Sequence, residues 1–272
     1  MPVLKIKKKV SPGAVGLLPG QKEAGQRVDF KPDKFVLAVE TKGYRIAWSR
    51  ACRCPCAPVN DQTQQPDPMC DLCNGTGWFL FRPSSAAIDE KVVGDLDDIQ
   101  QKLLGDQAVL IRAIMSGIMQ QYQGYDILGA RLEGTAAVSV RYENKLGYYD
   151  RLINLDATIA YVQLLEAATT GLVLPTKYIV RQVNLLRTKT ATFVEDTDFT
   201  VEDGVITWVD GHQPAAGTRI ACHYLTHPVW RVIEHPHGLR LTPVKYKGTK
   251  DTPQELPVQG IAKYEFLLDS FP

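Results

Sequence analysis

The chain reads as a mainly β protein, a barrel or a sandwich, broken by one small cysteine loop and flanked by extended terminal arms. Three observations predict this. Short runs rich in β-branched and aromatic residues recur between residues 109 and 234, with turn dipeptides between them. Thr135–Tyr142 alternates cleanly, Ala137, Ser139 and Arg141 opposing Val138, Val140 and Tyr142, which is the period of a half-buried strand. Residues 1–35 and 246–260 carry Pro, Gly, Lys and Thr without periodicity, as arms do.

With 272 residues the chain is long enough to bury a core without staples. Lys and Arg total 31 against 30 Asp and Glu, a balance that argues against a surface devoted to nucleic acid. No apolar run reaches the ~20 residues of a membrane helix. The basic start, Met1 to Lys9, is followed by no apolar stretch of the kind a secretion signal carries. These features predict a chain made in a reducing cytoplasm.

Element by element, Val3–Ile6, Phe35–Glu40 and Tyr44–Trp48 read as short strands, and Trp78–Phe81 as a strand leaving the cysteine segment. Leu96, Ile99, Leu103 and Leu104 have helical spacing behind acidic residues, which predicts a helix over 95–104. Val109–Ile118 is apolar enough for a strand or a buried helix. Arg151–Val162, Tyr178–Val183, Val205–Val209, Arg219–Leu225 and Val229–Glu234 read as strands, with Asp203-Gly204 and Asp210-Gly211 as turns. Ile261–Leu268 reads as a last strand. The expected divisions are 1–50 (arm and first strands), 51–80 (cysteine segment), 81–245 (β-rich body) and 246–272 (C-terminal arm).

Five of the six cysteines, Cys52, Cys54, Cys56, Cys70 and Cys73, fall in one short segment. A disulfide framework spreads its cysteines through a small secreted chain, whereas this clustering predicts a local chelate. Tetrahedral zinc takes four thiolates, usually as two close pairs. Cys54-Pro-Cys56 and Cys70-Asp-Leu-Cys73 supply such pairs, with Cys52 as an alternative ligand. Glycines after the second pair let the backbone curl so that amides approach the sulfurs. Disulfides, buried thiols and an iron–sulfur cluster are the competing readings. A four-thiolate zinc site is coordinatively closed, so it supports folding rather than catalysis. Cys222 reads as a small core residue.

His223, His227, His235 and His237 gather near the C-terminal strands. A second metal or an acid–base site is one reading. Histidines bonded to backbone carbonyls are the simpler one, because no metal motif or carboxylate constellation accompanies them. The sequence contains no nucleophile elbow, phosphate-binding loop or dinucleotide fingerprint. These readings point to a protein that is not an enzyme.

Two resemblances add to this. Cys70–Gly77 matches the Cys-x-x-Cys-x-Gly-x-Gly unit of J-domain co-chaperones over eight residues, which supports zinc; no His-Pro-Asp signature accompanies it. The cysteine segment through Trp78, with Asn144–Arg151, Asp198–Trp208 and Gly217–Pro228, resembles virion structural proteins of tailed bacteriophages. That resemblance implies a protein of the neck, a collar or head–tail connector, forming a symmetric ring. Its implied partners are further copies of itself and other virion proteins: portal or connector, tail terminator, and sheath or tube proteins. It implies location in the virion after assembly in the host cytoplasm, no membrane, and contact with DNA only as it passes through a ring. A baseplate or other tail position is the alternative. A zinc-containing nucleic-acid module and an enzyme using the His-rich region are readings of other classes.

Overall fold

A computed structural model describes residues 32–56, 66–84, 95–117, 134–168, 171–234, 241–244, 252–255 and 257–268. In chain order the elements are α1 (Pro32–Lys42), β1 (Tyr44–Arg53), β2 (Trp78–Phe81), α2 (Asp98–Leu104), β3 (Val109–Gly117), β4 (Thr135–Val140), β5 (Arg151–Asn154) and β6 (Ile159–Glu166). There follow β7 (Val173–Leu174), β8 (Gln182–Arg187), β9 (Thr192–Phe193), β10 (Phe199–Glu202), β11 (Val205–Trp208), β12 (Arg219–Thr226) and β13 (Val229–Glu234). The last are β14 (Leu241–Val244), β15 (Thr252–Glu255), β16 (Val258–Tyr264) and α3 (Glu265–Leu268).

The chain divides into two units, residues 1–30 with 241–254, and residues 31–240 with 255–272. In the first, the described part belongs to the two-stranded sheet β14–β15. The expected strand at Val3–Ile6 and the arm around it lie outside the described residues.

The second unit is built on a closed six-stranded barrel, β1-β3-β4-β16-β13-β5, in which β5 returns to pair with β1. Every neighbouring pair is antiparallel. β1 organises this unit because it is long enough to do two things. Its first half pairs with β3 and β5, with Ile46 opposite both Ile111 and Asn154. Its outer half leaves the barrel and pairs with β2, Arg53 opposite Trp78. The cysteine segment is therefore the tip of a hairpin that grows out of a barrel strand.

Side-chain alternation along β1 separates two cores. Ile46 and Trp48 point into the barrel with Ile111, Val138, Leu152 and Val232, all fully buried. Ala47 points the other way, with Leu110 and Ile153, into a second cluster with Leu186, Ile206 and Ile220. That cluster involves two small sheets, β6-β12-β8-β9 and β10-β11-β7. Each fully buried Leu or Ile contributes about 1.5–3 kcal/mol, so the two layers hold one another. In the β10–β11 hairpin, Asp203 (φ 53°) and Gly204 (φ 74°) form the turn that this dipeptide predicts.

One end of the barrel is plugged by the loop 141–150. Leu146 joins the interior cluster. Asp150, fully buried, accepts from Trp48 Nε1 at 2.8 Å, Ala51 N at 2.9 Å and Gly147 N at 2.6 Å. Outside, Arg231 Nε donates to Glu265 Oε1 at 2.7 Å and Arg151 to Glu265 Oε2 at 3.4 Å. Burial works against the Glu265 charge, but the two guanidiniums outweigh it and hold the carboxyl below its usual range.

Several expectations change. Phe35–Glu40 is helical, not a strand: Phe35, Val36 and Val39 recur at helical spacing behind Pro32 in the first position and Asp33 in the first turn. Val109–Gly117 is a strand, which removes the buried-helix alternative. The expected strand 151–162 is two strands, β5 and β6, with a turn between. In 178–183 only the end enters β8; Tyr178 and Val180 are buried in the loop before it. The C-terminal arm drawn over 246–272 contains β16, a barrel strand between β4 and β13. Gly260, in the stretch read as arm, makes the start of this strand look loose in sequence, yet it lets the strand lie close against neighbours such as Val232. The last strand accordingly spans 258–264 and gives way to α3 at Glu265. The helix expected over 95–104 forms as α2, and Asp97 and Gln100 close a reciprocal capping box at its start.

Candidate metal centre

Cys54 directly follows the outer half of β1 and Cys56 lies in the turn after it. The hairpin is closed behind them by Cys54 N donating to Gly77 O at 2.8 Å. On the opposite side Asp67 starts the second turn: its carboxylate accepts from Met69 N at 2.9 Å and its carbonyl from Cys70 N at 3.1 Å. Asn74 N then donates to Cys70 O at 2.8 Å, which folds Cys70 and Cys73 onto one side of a tight turn. The chain leaves through left-handed residues, Asn74 (φ 47°), Gly75 (φ 76°) and Gly77 (φ 75°). A Cβ on Gly75 would sit 3.1 Å from Pro68 O, and one on Gly77 3.2 Å from the Pro66 ring. Both glycines are required by conformation and by space.

The result is a cluster of four sulfurs, those of Cys54, Cys56, Cys70 and Cys73, all within 4.8 Å of one another. Cys54 Sγ lies 3.7 Å from Cys70 Sγ, and Cys56 Sγ 3.5 Å from Cys73 Sγ. A tetrahedron with metal–sulfur bonds of ~2.3 Å has sulfurs about 3.8 Å apart, so these separations suit one ion. They are far too long for the ~2.05 Å bond of a disulfide, and all six cysteines are free thiols.

The electrostatics are those of a crowded thiol cluster. The Cys56 amide favours ionisation of Cys54, but burial and the thiols of Cys70 and Cys73 win and raise it. Burial pushes Cys56 up to about 12, against a backbone hydrogen bond at Asp67. Cys73 moves the other way. Burial opposes its charge, yet the Gly77 amide and the neighbouring thiols bring it down to about 7. The Cys73 thiolate is thus easy to form, whereas Cys54 and Cys56 are held back by burial and by the neighbouring thiols. A cation at the centre reverses that balance, because it favours the charged form of every sulfur at once. The four residues fit a soft tetrahedral metal ion.

Cys52, the alternative ligand, is not part of the cluster. It is exposed on β1, opposite Phe79, and its thiol is not among the four that gather. Cys222 is fully buried on β12, its thiol pushed up to about 11 by burial, in keeping with a core role. The histidines are not brought together as a site among the described residues. His227 is buried and its Nδ1–H donates to Asn154 O at 3.1 Å and Ala157 O at 2.8 Å, pinning the turn between β5 and β6. Burial lowers its basicity. His223 lies on β12, half-buried. His235 and His237 lie outside the described residues.

Sequence reasoning missed how the hairpin is seated. Trp78 stacks on Tyr149 with ring centroids 5.0 Å apart, and the Arg53 guanidinium lies over the Trp78 ring, 5.9 Å from its centroid. The available signal was the position of Trp78 immediately after Gly77. No described helix is long and apolar enough to cross a membrane. In comparisons with known proteins, no protein-family model and no curated protein matches the chain.

Proposed function

We propose that this chain is a structural component of a tailed phage particle, seated in the neck as a collar or head–tail connector, with one zinc ion locking the hairpin tip. The observation that carries the reading is the four-sulfur cluster of Cys54, Cys56, Cys70 and Cys73. A complete tetrahedral donor set leaves no position for a substrate, so its ion holds backbone together rather than doing chemistry. Four thiolates accept iron as well as zinc. Zinc suits a purely structural site, because it has no redox chemistry. The closed barrel supports the same reading, since it is a rigid body with few open edges, suited to repeated contacts in an assembly. The partners of that reading are further copies of this chain and neighbouring virion proteins. A baseplate or another tail position is its variant within the class.

Native mass spectrometry of the full chain, before and after a chelator, tests this. The reading expects one zinc per chain and a high-order oligomer. A monomer without metal and with paired cysteines overturns it. A second reading, a nucleic-acid-binding zinc module, is favoured by one arrangement: Arg50 and Arg53 lie on the strand leading into the cluster, with guanidiniums over Trp48 and Trp78. It expects binding to DNA or RNA that falls steeply with salt.

A further inference from the structure

The sheet β6-β12-β8-β9 ends on β6, whose only ladder partner among the described residues is β12. The register says which of its backbone groups are left over. Ala167 N donates to Thr218 O at 2.9 Å in continuation of the β6–β12 ladder, so odd-numbered residues turn their N–H and C=O toward β12. Ala160, Val162, Leu164 and Glu166 therefore direct theirs away from the sheet. The same four residues carry the exposed side chains of the strand, Val162 at 68% and Leu164 at 65%. Across the sheet, half-buried His223 sits opposite Val162 on one side and exposed Leu185 on the other.

An edge whose ladder groups have no partner among the described residues calls for a strand as its occupant, not a helix or a small molecule. The sequence of β6 points to which strand. Laid antiparallel on itself about a two-fold axis at Gln163, Val162 faces Leu164 of the second copy, and Leu164 faces its Val162. Glu166 faces Ala160, so the two like charges do not meet. The facing residues are also those whose N–H and C=O groups point away from β12, so the pairing completes both edges at once. We infer that two copies of this chain pair through β6, forming one continuous sheet across the contact. The inference goes beyond the ring reading. An isologous contact closes at two copies, and a ring of higher order needs a second surface.

Sedimentation of the full metal-loaded chain over a concentration series tests this, with amide hydrogen exchange as a second readout. The wild type should pair, and the amides of Ala160, Val162, Leu164 and Glu166 should exchange more slowly as it does. Leu164→Lys should weaken pairing at least about tenfold, a cost of ~1.4 kcal/mol. Val162→Pro should do the same with an unchanged circular dichroism spectrum, because it deletes an N–H that points out of the sheet, a place where edge strands tolerate proline. A wild type that stays monomeric overturns the inference. So does an oligomer that survives Leu164→Lys while those four amides exchange as fast as at dilution. That second result leaves the ring reading standing, whereas loss of zinc from a chain that still pairs through β6 sinks the zinc reading alone.

Discussion

The indole of Trp48 and the carboxylate of Asp150 meet inside the barrel, Nε1 to Oδ2 at 2.8 Å, with both residues fully buried. The contact ties the middle of β1 to the loop that plugs the barrel end. Asp150 also accepts from the backbone of Ala51 and Gly147, so one carboxylate fixes the strand, the plug and the route out to the hairpin.

Replacing Asp150 by Ala should therefore be among the most damaging single changes in the chain. It strands three donors, and each buried unsatisfied group costs about 1–3 kcal/mol. Urea denaturation should show a loss of roughly 3–5 kcal/mol, allowing for relaxation. Asp150→Asn keeps one acceptor oxygen and should lose about half as much. Equal, small losses for both variants would mean that the carboxylate does not organise the barrel.

The cysteines differ in what their removal should do. Cys70→Ser or Cys73→Ser should reduce bound metal well below one ion per chain, whereas Cys52→Ser should leave it unchanged. Elemental analysis of the purified variants reads this directly. A chelator should melt the hairpin tip and spare the barrel, because the first half of β1 is paired to β3 and β5 independently of β2. Far-ultraviolet circular dichroism should thus change little while Trp78 fluorescence, reporting the stack on Tyr149, changes clearly. Loss of the whole β signal on chelation would refute that division.

Much of this was legible in the sequence, and the reasons differ by element. The four-thiol cluster was readable because a Cys-x-x-Cys turn followed by glycines is a local pattern with a local cause, and the structure brings those four thiols together. The strands at 78–81 and 229–234 were readable for the same reason. Closure of the barrel was not, because β1 and β5 are about a hundred residues apart and nothing in either strand names the other. The helix α1 reads as a strand in sequence because its apolar run is short and β-branched, and Pro32 is the local mark of a helix start. β16 was legible only in part: Ile261–Tyr264 lie in the expected last strand, whereas 258–260 read as arm because Gly260 looks like a linker residue until its close neighbour Val232 is known.

Gly75 and Gly77 should govern metal affinity without touching the metal. Both adopt φ near 75° and both face a proline at close range. An alanine in the left-handed region costs about 1–2 kcal/mol, here felt in the folding of the turn that binding requires. Gly75→Ala and Gly77→Ala should each weaken metal binding about tenfold, measured by competition with a chromophoric chelator. The thermal midpoint of the metal-free barrel should not move. An unchanged affinity would show that the turn is not preorganised by these residues.

His227 gives the fold a pH dependence separate from that of the thiols. Burial lowers its affinity for a proton in the folded chain, below the ordinary value of 6.5. The unfolded chain therefore binds the proton more readily, and stability depends on the residue staying neutral. Its contribution is fully present above pH 6.5 and is lost as pH falls below that value toward the folded-state value. Asn at this position offers an N–H in a comparable place and does not titrate. His227→Asn should cost some stability at neutral pH but flatten the fall in urea midpoint between about pH 7 and pH 5. His227→Ala should flatten it too, at a larger cost, because the carbonyls of Asn154 and Ala157 then lose their shared donor. Measuring wild type and variants on metal-free protein separates this effect from protonation of the cysteines. Parallel curves for all three chains would place the acid sensitivity of this range elsewhere, and not on the Glu265 ion pairs, because a carboxyl held below its ordinary value of 4.5 loses its contribution only under that pH.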